Sequence, residues 1–330
     1  MRHLAQPVIS VGNLVVGGSG KTPVVAALAR LLLAAGERPA ILSRGYARRH
    51  RADGVTVVSD GRRVLEESSR SGDEPQMLAR ALPGVPVLAS SDRYLAGRLA
   101  ERRFGCTVHL LDDGFQHVQL AREIDLLLVS RADLDERVLP SGRLREPLEA
   151  ARSAGALLVN GTDEDASIMA GALGVADVFR VTPRYEQPRL VEPFGAPLPS
   201  GTGRRVVAVA GIARPERFVA ALRAAGWEVA RELVFRDHHW FTPRDLESME
   251  RAATDTQADL IITTEKDAVR LDFLVARTLS GSRGEPDKAR PTRALAYLPM
   301  QLVIEPAAPF AEWITERLRA ARLRRAAEAA

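Results

Sequence analysis

Gly17-Gly18-Ser19-Gly20-Lys21-Thr22 follows closely on an apolar run, Pro7–Val11, and leads directly into a helical stretch, Thr22–Ala35. The order therefore reads strand, glycine loop, helix. Glycines let the backbone turn tightly enough for several N–H groups to point at one anion. The helix that follows adds the positive end of its dipole. Lys21 can reach the outer phosphates of a triphosphate, and the Thr22 hydroxyl can ligate a divalent cation. The strict pattern asks for a glycine where Val15 stands, and Val16 occupies the position before the double glycine. The alternative is a glycine-rich turn that binds no nucleotide.

Beyond this loop, Pro39–Leu42, Val85–Ala89, Thr107–Leu111, Ile124–Val129 and Ala156–Val159 are short Val/Ile/Leu-rich runs separated by helical stretches. Such runs predict a parallel sheet covered on both faces, with the functional loops at the carboxyl ends of its strands. Pro183–Gly203 is rich in proline and glycine and is expected to be a linker. A second pattern follows: strand Arg205–Ala210, helix Pro215–Ala225, strand Glu228–Phe235, helix Thr242–Thr254 opened by a Thr-Pro cap, and strand Asp259–Thr264. Ser280–Thr292 reads as a flexible loop. Pro309–Glu328 reads as a helix with Phe310, Trp313, Ile314, Leu318 and Ala321 on one face and arginines around the rest. The expected fold is α/β: a P-loop NTPase-like parallel-sheet domain over 1–182, a linker over 183–203, and a smaller α/β domain over 204–302. The helix within 303–330 is expected to pack back on the first domain.

The 330 residues suffice for two such cores, and 46% hydrophobic with 27% charged residues excludes a largely disordered chain. The single cysteine, Cys106, excludes a disulfide framework. A net charge of +4, carried mostly by arginine, suits an anionic partner, although codon bias alone would also enrich arginine. No basic run interleaved with aromatics points to nucleic acid. No stretch is apolar enough for a transmembrane helix, and no signal peptide is visible.

Several polar clusters stand near predicted strand ends. Thr107–Asp113 is an apolar run ending in Asp112 and Asp113, as a Mg²⁺ site in a nucleotide-binding domain requires. Gly72-Asp73-Glu74-Pro75 offers a proton acceptor or, on the structural reading, a helix cap at Asp73. Arg236–Phe241 holds two of six histidines, His238 and His239, which could orient a base or serve the core. Ser43-Arg44-Gly45-Tyr46, Ser91-Asp92-Arg93 and Gly142–Pro147 are loops with arginines. Thr263–Asp267 could be a salt-bridged turn.

Taken in order, GNLxxGGSGKTP from Gly12, SRGY from Ser43, GDEP from Gly72, DDGFQH from Asp112, GRLREP from Gly142, RDHHWF from Arg236 and TEKDAV from Thr263 form a set. This set resembles the tetraacyldisaccharide 4'-kinase family, over roughly Val8 to Val269. The resemblance implies transfer of the γ-phosphate of ATP to the 4'-hydroxyl of a tetraacyldisaccharide 1-phosphate, giving lipid IVA in lipid A biosynthesis. It implies ATP and Mg²⁺ as cofactors. It implies Asp73 as catalytic base with His238 as helper, and nucleotide binding by Val15, Val16, Gly17, Gly18, Ser19, Gly20, Lys21 and Thr22. Thr22, Asp112 and Asp113 would hold the metal. Arg44, Tyr46, Glu74, Arg93, Gln116, His117 and His239 would line the acceptor site, and Glu146 would help link the domains. With His238 and the glycine loop in different halves, closure of the two could assemble the site.

The implied location is the cytoplasmic face of the bacterial inner membrane, with the chain bound peripherally and no protein partner or nucleic acid. Relatives carry a longer segment before the GNL stretch, so the arginine-rich last helix is a second candidate for membrane contact. The competing reading is a P-loop ATPase or GTPase acting as a nucleotide-gated switch or metallochaperone. It lacks a guanine-reading motif and a set of metal-carrying residues. A non-enzymatic lipid or sugar-phosphate binder would leave Lys21 and the Asp112/Asp113 pair without a purpose.

Overall fold

The computed structural model describes the chain except for Ser19, Ala47, Arg51, Ala52, Ser200, residues 281–292 and Ala330, and except for the side chains of 276–280 and 329. The expected loop at Ser280–Thr292 therefore lies almost wholly outside the described residues. Two compact units emerge, one formed by Met1–Arg184 with Gln301–Ala330 and the other by Tyr185–Met300.

The fold is α/β, as the apolar runs predict. The first sheet is built from β1 (Val8–Gly12), β2 (Pro39–Ser43), β3 (Thr56–Asp60), β4 (Pro86–Ala89), β5 (Val108–Asp112), β6 (Ile124–Val129), β7 (Ala156–Val159) and β8 (Val178–Tyr185). The second contains β9 (Arg189–Leu190), β10 (Arg205–Ala210), β11 (Glu228–Val234), β12 (Leu260–Thr264) and β13 (Ala294–Leu298), after which β14 (Met300–Glu305) rejoins the first. The nine-stranded sheet runs β14-β8-β7-β6-β1-β5-β2-β4-β3. Its centre is parallel and buried on both faces, which is why β1, β2, β4, β5 and β7 read as unbroken apolar runs.

β1 lies between β5 and β6, with Val11 opposite Asp112. The chain that leaves β1 as the glycine loop thus starts beside the carboxylates that end β5. The loop runs into helix Lys21–Ala34, whose Val24, Val25, Leu28 and Leu32 are buried. β3 pairs antiparallel with β4 at the sheet's edge and was not visible in the sequence.

From Tyr185 onward the stretch 183–203 is part of the second unit rather than a free linker, while Pro183 and Arg184 belong to the first. Its β9 pairs antiparallel with β13, and Val191 is buried in that unit's core. Helix Pro243–Asp255 starts at Thr242 with a full capping box to Asp245, as the Thr-Pro signal indicates.

Helix Ala307–Ala329 is packed. Phe310, Ile314, Leu318 and Ala321 are buried, and Phe310 meets Phe179 edge-on at 4.9 Å between ring centroids. Arg317, Arg322 and Arg325 pair with Asp177, Glu37 and Glu123. Its apolar face is therefore committed to the core and unavailable to a bilayer. Phe310→Ala should lower the stability of the first unit by about 3–5 kcal/mol, measured as a fall in the urea midpoint followed by a probe in that unit.

Candidate active site

The glycine loop has the backbone its sequence predicts. Gly17 and Gly20 sit at φ +101° and +95°, values that residues with a Cβ rarely adopt. Gly20 also caps helix Lys21–Ala34 without any side-chain cap bond. The start of that helix presents first-turn backbone N–H groups and the positive end of its dipole, a setting suited to phosphate oxygens. Ser19 lies outside the described residues. Val15 is buried and Val16 half-buried; they support the loop from beneath. They are held by the segment after Gly142: the Val16 N–H donates to the Arg143 carbonyl at 2.8 Å, and the Arg145 N–H to the Leu14 carbonyl at 2.7 Å. Arg143 Nη2 also donates to the Val16 carbonyl at 2.9 Å.

Lys21 Nζ donates to Asn13 Oδ1 at 2.9 Å and lies 3.4 Å from Asp113 Oδ1. Asp113, itself at φ +57°, receives Arg145 Nη1 at 2.9 and 3.0 Å. The same Arg145 nitrogen reaches Gln116 Oε1 at 3.0 Å. Gln116 Nε2 donates to the Asn13 carbonyl at 3.0 Å and to Glu146 Oε1 at 2.7 Å. Gln116, expected to face the acceptor, is thus engaged at both ends within the first unit. Glu146, expected at a domain link, serves this network too.

The paired carboxylates have opposite environments. Burial pushes Asp112 up to about 7, helped by Glu74 and Asp113 and opposed by Lys21 and Arg93. Burial also opposes ionisation of Asp113, but Lys21 and Arg145 together outweigh it and hold that carboxyl below the usual range. Thr22 is half-buried at the same helix start.

Asp73 is fully buried and opens helix Asp73–Ala81. It is not the cap. Gly72 takes that position at φ +92°, and no side chain caps the helix. A Cβ on Gly72 would lie 2.5 Å from the Tyr46 carbonyl oxygen, so the SRGY and GDEP loops are pressed together. Tyr46 is 62% exposed and Arg44 is exposed as well. Arg93 is buried, and burial followed by the charge of Arg44 disfavours its cationic form, against the pull of Asp113 and Asp112. Burial, then Arg93 and Arg122, lowers His117 to about 4. Among the described residues, Arg93 Nε and His117 Nε2 are buried without a hydrogen-bond partner. The buried Arg93 guanidinium and the neutral His117 ring, each with an open nitrogen, fit an anionic or hydroxyl-rich ligand.

In the second unit, His238 stands at φ +59° after β11, with Lys266 Nζ 3.1 Å from its Nε2. The His239 ring stacks on Phe235 at 4.7 Å and meets Asp245 Oδ2 at 3.1 Å, which ties it to the start of helix Pro243–Asp255. Thr263–Asp267 is the end of β12 running into helix Glu265–Ser280, with Lys266 paired to Asp237 at 3.2 Å.

The family model described as tetraacyldisaccharide-1-P 4'-kinase matches residues 1–319. The chain belongs to this family. It is similar to the tetraacyldisaccharide 4'-kinase of Geobacter metallireducens, 42% identical over 283 residues that cover 84% of this chain and 82% of that one. The same identity holds over 282 residues with the enzyme of Syntrophus aciditrophicus, covering 80% and 75%. A crystal structure of LpxK from Aquifex aeolicus in complex with ATP superposes with a TM-score of 0.73 at 31% identity, covering 96% of this chain and 90% of that one.

For this member of the tetraacyldisaccharide-1-P 4'-kinase family, the structure gathers the GNL, SRGY, GDEP, DDGFQH and GRLREP stretches at the carboxyl edge of one sheet. Sequence reasoning missed Asn13 and Arg145 as partners of Lys21 and Asp113. The only available signal was their place just after β1 and in the GRLREP loop. Among the described residues, no cluster of three or more His, Cys, Asp or Glu side chains could hold a metal.

The Asp112 environment has a pH consequence. In the folded protein burial pushes the Asp112 carboxyl up to about 7, whereas the unfolded chain releases its proton near the ordinary aspartate value of 3.8. Between these values the folded state binds more protons, so this group's contribution makes stability fall as pH rises. Asp112→Asn should remove that slope and, at pH 8, be more stable than the parent by roughly 2–4 kcal/mol. Urea unfolding at pH 5 and pH 8 checks this.

Proposed function

We propose that this chain is an ATP-dependent kinase that phosphorylates the 4'-hydroxyl of a tetraacyldisaccharide 1-phosphate, producing lipid IVA in lipid A biosynthesis. The observation that carries the reading is the glycine loop, Lys21 and the Asp112/Asp113 pair assembled in a chain that matches the family over residues 1–319.

Phosphoryl transfer asks a protein mainly to align the groups and neutralise charge. Mg²⁺·ATP supplies the transferable phosphoryl group together with a cation over its oxygens. The N–H groups from Gly17 to Thr22 would cradle the phosphates, with Val15 and Val16 supporting them from beneath, and Lys21 would exchange part of its contact with Asp113 for phosphate oxygen. The Thr22 hydroxyl and Asp112 and Asp113 would hold Mg²⁺. Asp112 loses its proton readily once a cation offsets its neighbours' charge.

Asp73 would accept the proton of the 4'-hydroxyl, and His238 would assist it. Arg44, Arg93, His117, Glu74 and Tyr46 receive the sugar and its phosphate. Gln116 acts from behind, through Arg145 and Asn13, and His239 supports the His238 loop. The acyl chains of the acceptor place the reaction at a lipid surface, so the chain works peripherally on the cytoplasmic face of the inner membrane. Among the described residues, no helix is long and apolar enough to cross a membrane.

The test is transfer of labelled γ-phosphate from ATP to tetraacyldisaccharide 1-phosphate presented in detergent micelles. Asp73→Ala should lower kcat by about 10²–10⁴ while nucleotide binding persists. An undiminished rate would remove Asp73 as the base and leave the kinase standing. Failure of the parent protein to bind ATP in the presence of Mg²⁺ would remove the kinase reading itself.

A further inference from the structure

Arg143 grips Val16, at the entrance of the glycine loop, through both its backbone and its side chain. The transfer reaction as described makes no use of this grip. The Arg143 carbonyl accepts the Val16 N–H at 2.8 Å, and Arg143 Nη2 donates to the Val16 carbonyl at 2.9 Å. The two bonds fall on different peptide units. The Val16 N–H belongs to the Val15–Val16 peptide, and the Val16 carbonyl to the Val16–Gly17 peptide. One residue therefore fixes two consecutive peptide planes where the chain enters the glycines. Arg143 is itself well held. Its neighbour Leu144 forms an antiparallel bridge with Val15, and the Arg145 N–H reaches the Leu14 carbonyl at 2.7 Å. Glu136 braces it as well: Oε2 accepts the Arg143 N–H at 3.2 Å, and Oε1 stands 3.5 Å from Nη1.

The second of these planes needs a hold from outside. Gly17 sits at φ +101°, and a glycine takes either sign of φ at little cost. The Val16–Gly17 peptide can therefore turn over more cheaply than one that leads into a residue with a Cβ. Turned over, it would exchange the places of its N–H and its carbonyl oxygen, and an oxygen facing phosphate is repulsive. A guanidinium has donors and no acceptor. Only the orientation with the carbonyl toward Nη2 makes a bond there, and it is the one observed. Because a trans peptide is planar, the Gly17 N–H then points away from Arg143. The guanidinium also lies close to Gly17: a Cβ there would stand 3.2 Å from Nη2.

We propose that Arg143 is a positioning residue for the nucleotide: it locks the Val16–Gly17 peptide with its carbonyl toward the guanidinium and its N–H toward the phosphates. The proposal rests on the reading of the glycine loop as the ATP site. Arg143 acts through the Gly17 amide and needs no contact of its own with ATP. Replacing its side chain leaves the backbone bond to the Val16 N–H in place and removes the hold on the second plane alone.

The experiment compares Arg143→Met, Arg143→Gln and Arg143→Lys in the full chain. Calorimetry gives the affinity for Mg²⁺·ATP, and steady-state kinetics use ATP and tetraacyldisaccharide 1-phosphate. Labelling valine with ¹³C at the carbonyl and glycine with ¹⁵N isolates the amides of Val–Gly pairs, which in this sequence are those of Gly12 and Gly17. The Gly17 signal is the one lost in Val16→Ile. Mg²⁺·ATP should move the Gly17 amide proton of the parent downfield, as a charge-assisted hydrogen bond does. Arg143→Met should weaken ATP binding about 10-fold, the low end of what one hydrogen bond to a charged group is worth. It should also shrink the Gly17 shift, with KM for the disaccharide within about twofold. Arg143→Lys keeps a cation with donors only and should recover most of both. Arg143→Gln, whose amide offers an oxygen as well as donors, should resemble the methionine variant and takes its place if that variant folds poorly.

A parent that binds ATP, beside an Arg143→Met variant with the same affinity and the same Gly17 shift, overturns the proposal and leaves the kinase reading intact. So does weakened ATP binding with an unchanged Gly17 shift, since Arg143 would then touch the nucleotide directly. A parent that binds no ATP overturns the reading of the loop, and the proposal with it.

Discussion

The site depends on the ion pairing of Lys21 with Asp113. A pocket for a triphosphate must hold positive charge in place before the phosphates arrive, and that charge needs a partner in the meantime. Asn13 and Asp113 are that partner, and Arg145 braces Asp113 from the other side. The arrangement exists because β1 and β5 are parallel neighbours in register. Their carboxyl ends emerge together, so the loop leaving one strand and the acids ending the other fall within bonding distance. Misalignment by a residue would turn Asp112 and Asp113 to different faces.

Asp112 and Asp113 differ by one position and have opposite properties. Asp113 turns into a left-handed conformation toward two cations, while Asp112 stays inside the strand's buried end, near Glu74. Backbone geometry, more than residue type, decides which acid is charged. Gly72 acts similarly at Asp73. Because the glycine serves as helix cap and meets the Tyr46 carbonyl closely, the aspartate is left out of the capping bond that its sequence position favours.

The centre of the first sheet was legible because strands buried on both faces carry an unbroken apolar signal. β6 and β7 coincide with the expected runs, and β1 and β5 are displaced by a single residue. What escaped notice was written in a weaker code. β3 is an antiparallel edge strand, β8 mixes arginines and a proline into an alternating pattern, and β9 is two residues long. The glycine loop and the acids could be identified as chemistry from residue types alone. Their partners could not. Nothing local to Arg145 or Gln116 says that one braces Asp113 and the other spans Asn13 and Glu146; those bonds join residues 29 to 103 positions apart.

The interrupted course of the chain has a bearing on biosynthesis. The first unit leaves off at Arg184 and resumes at Gln301, with the whole second unit made in between. Phe310, Ile314 and Leu318 belong to the core cluster that also contains Ile9, Val11 and Val24 beside the glycine loop. During translation, the amino-terminal residues must therefore wait, with apolar surface uncovered, while more than a hundred residues are added, and only the final helix seals them. A nascent chain of this kind is a natural client for chaperones that shield exposed hydrophobic surface.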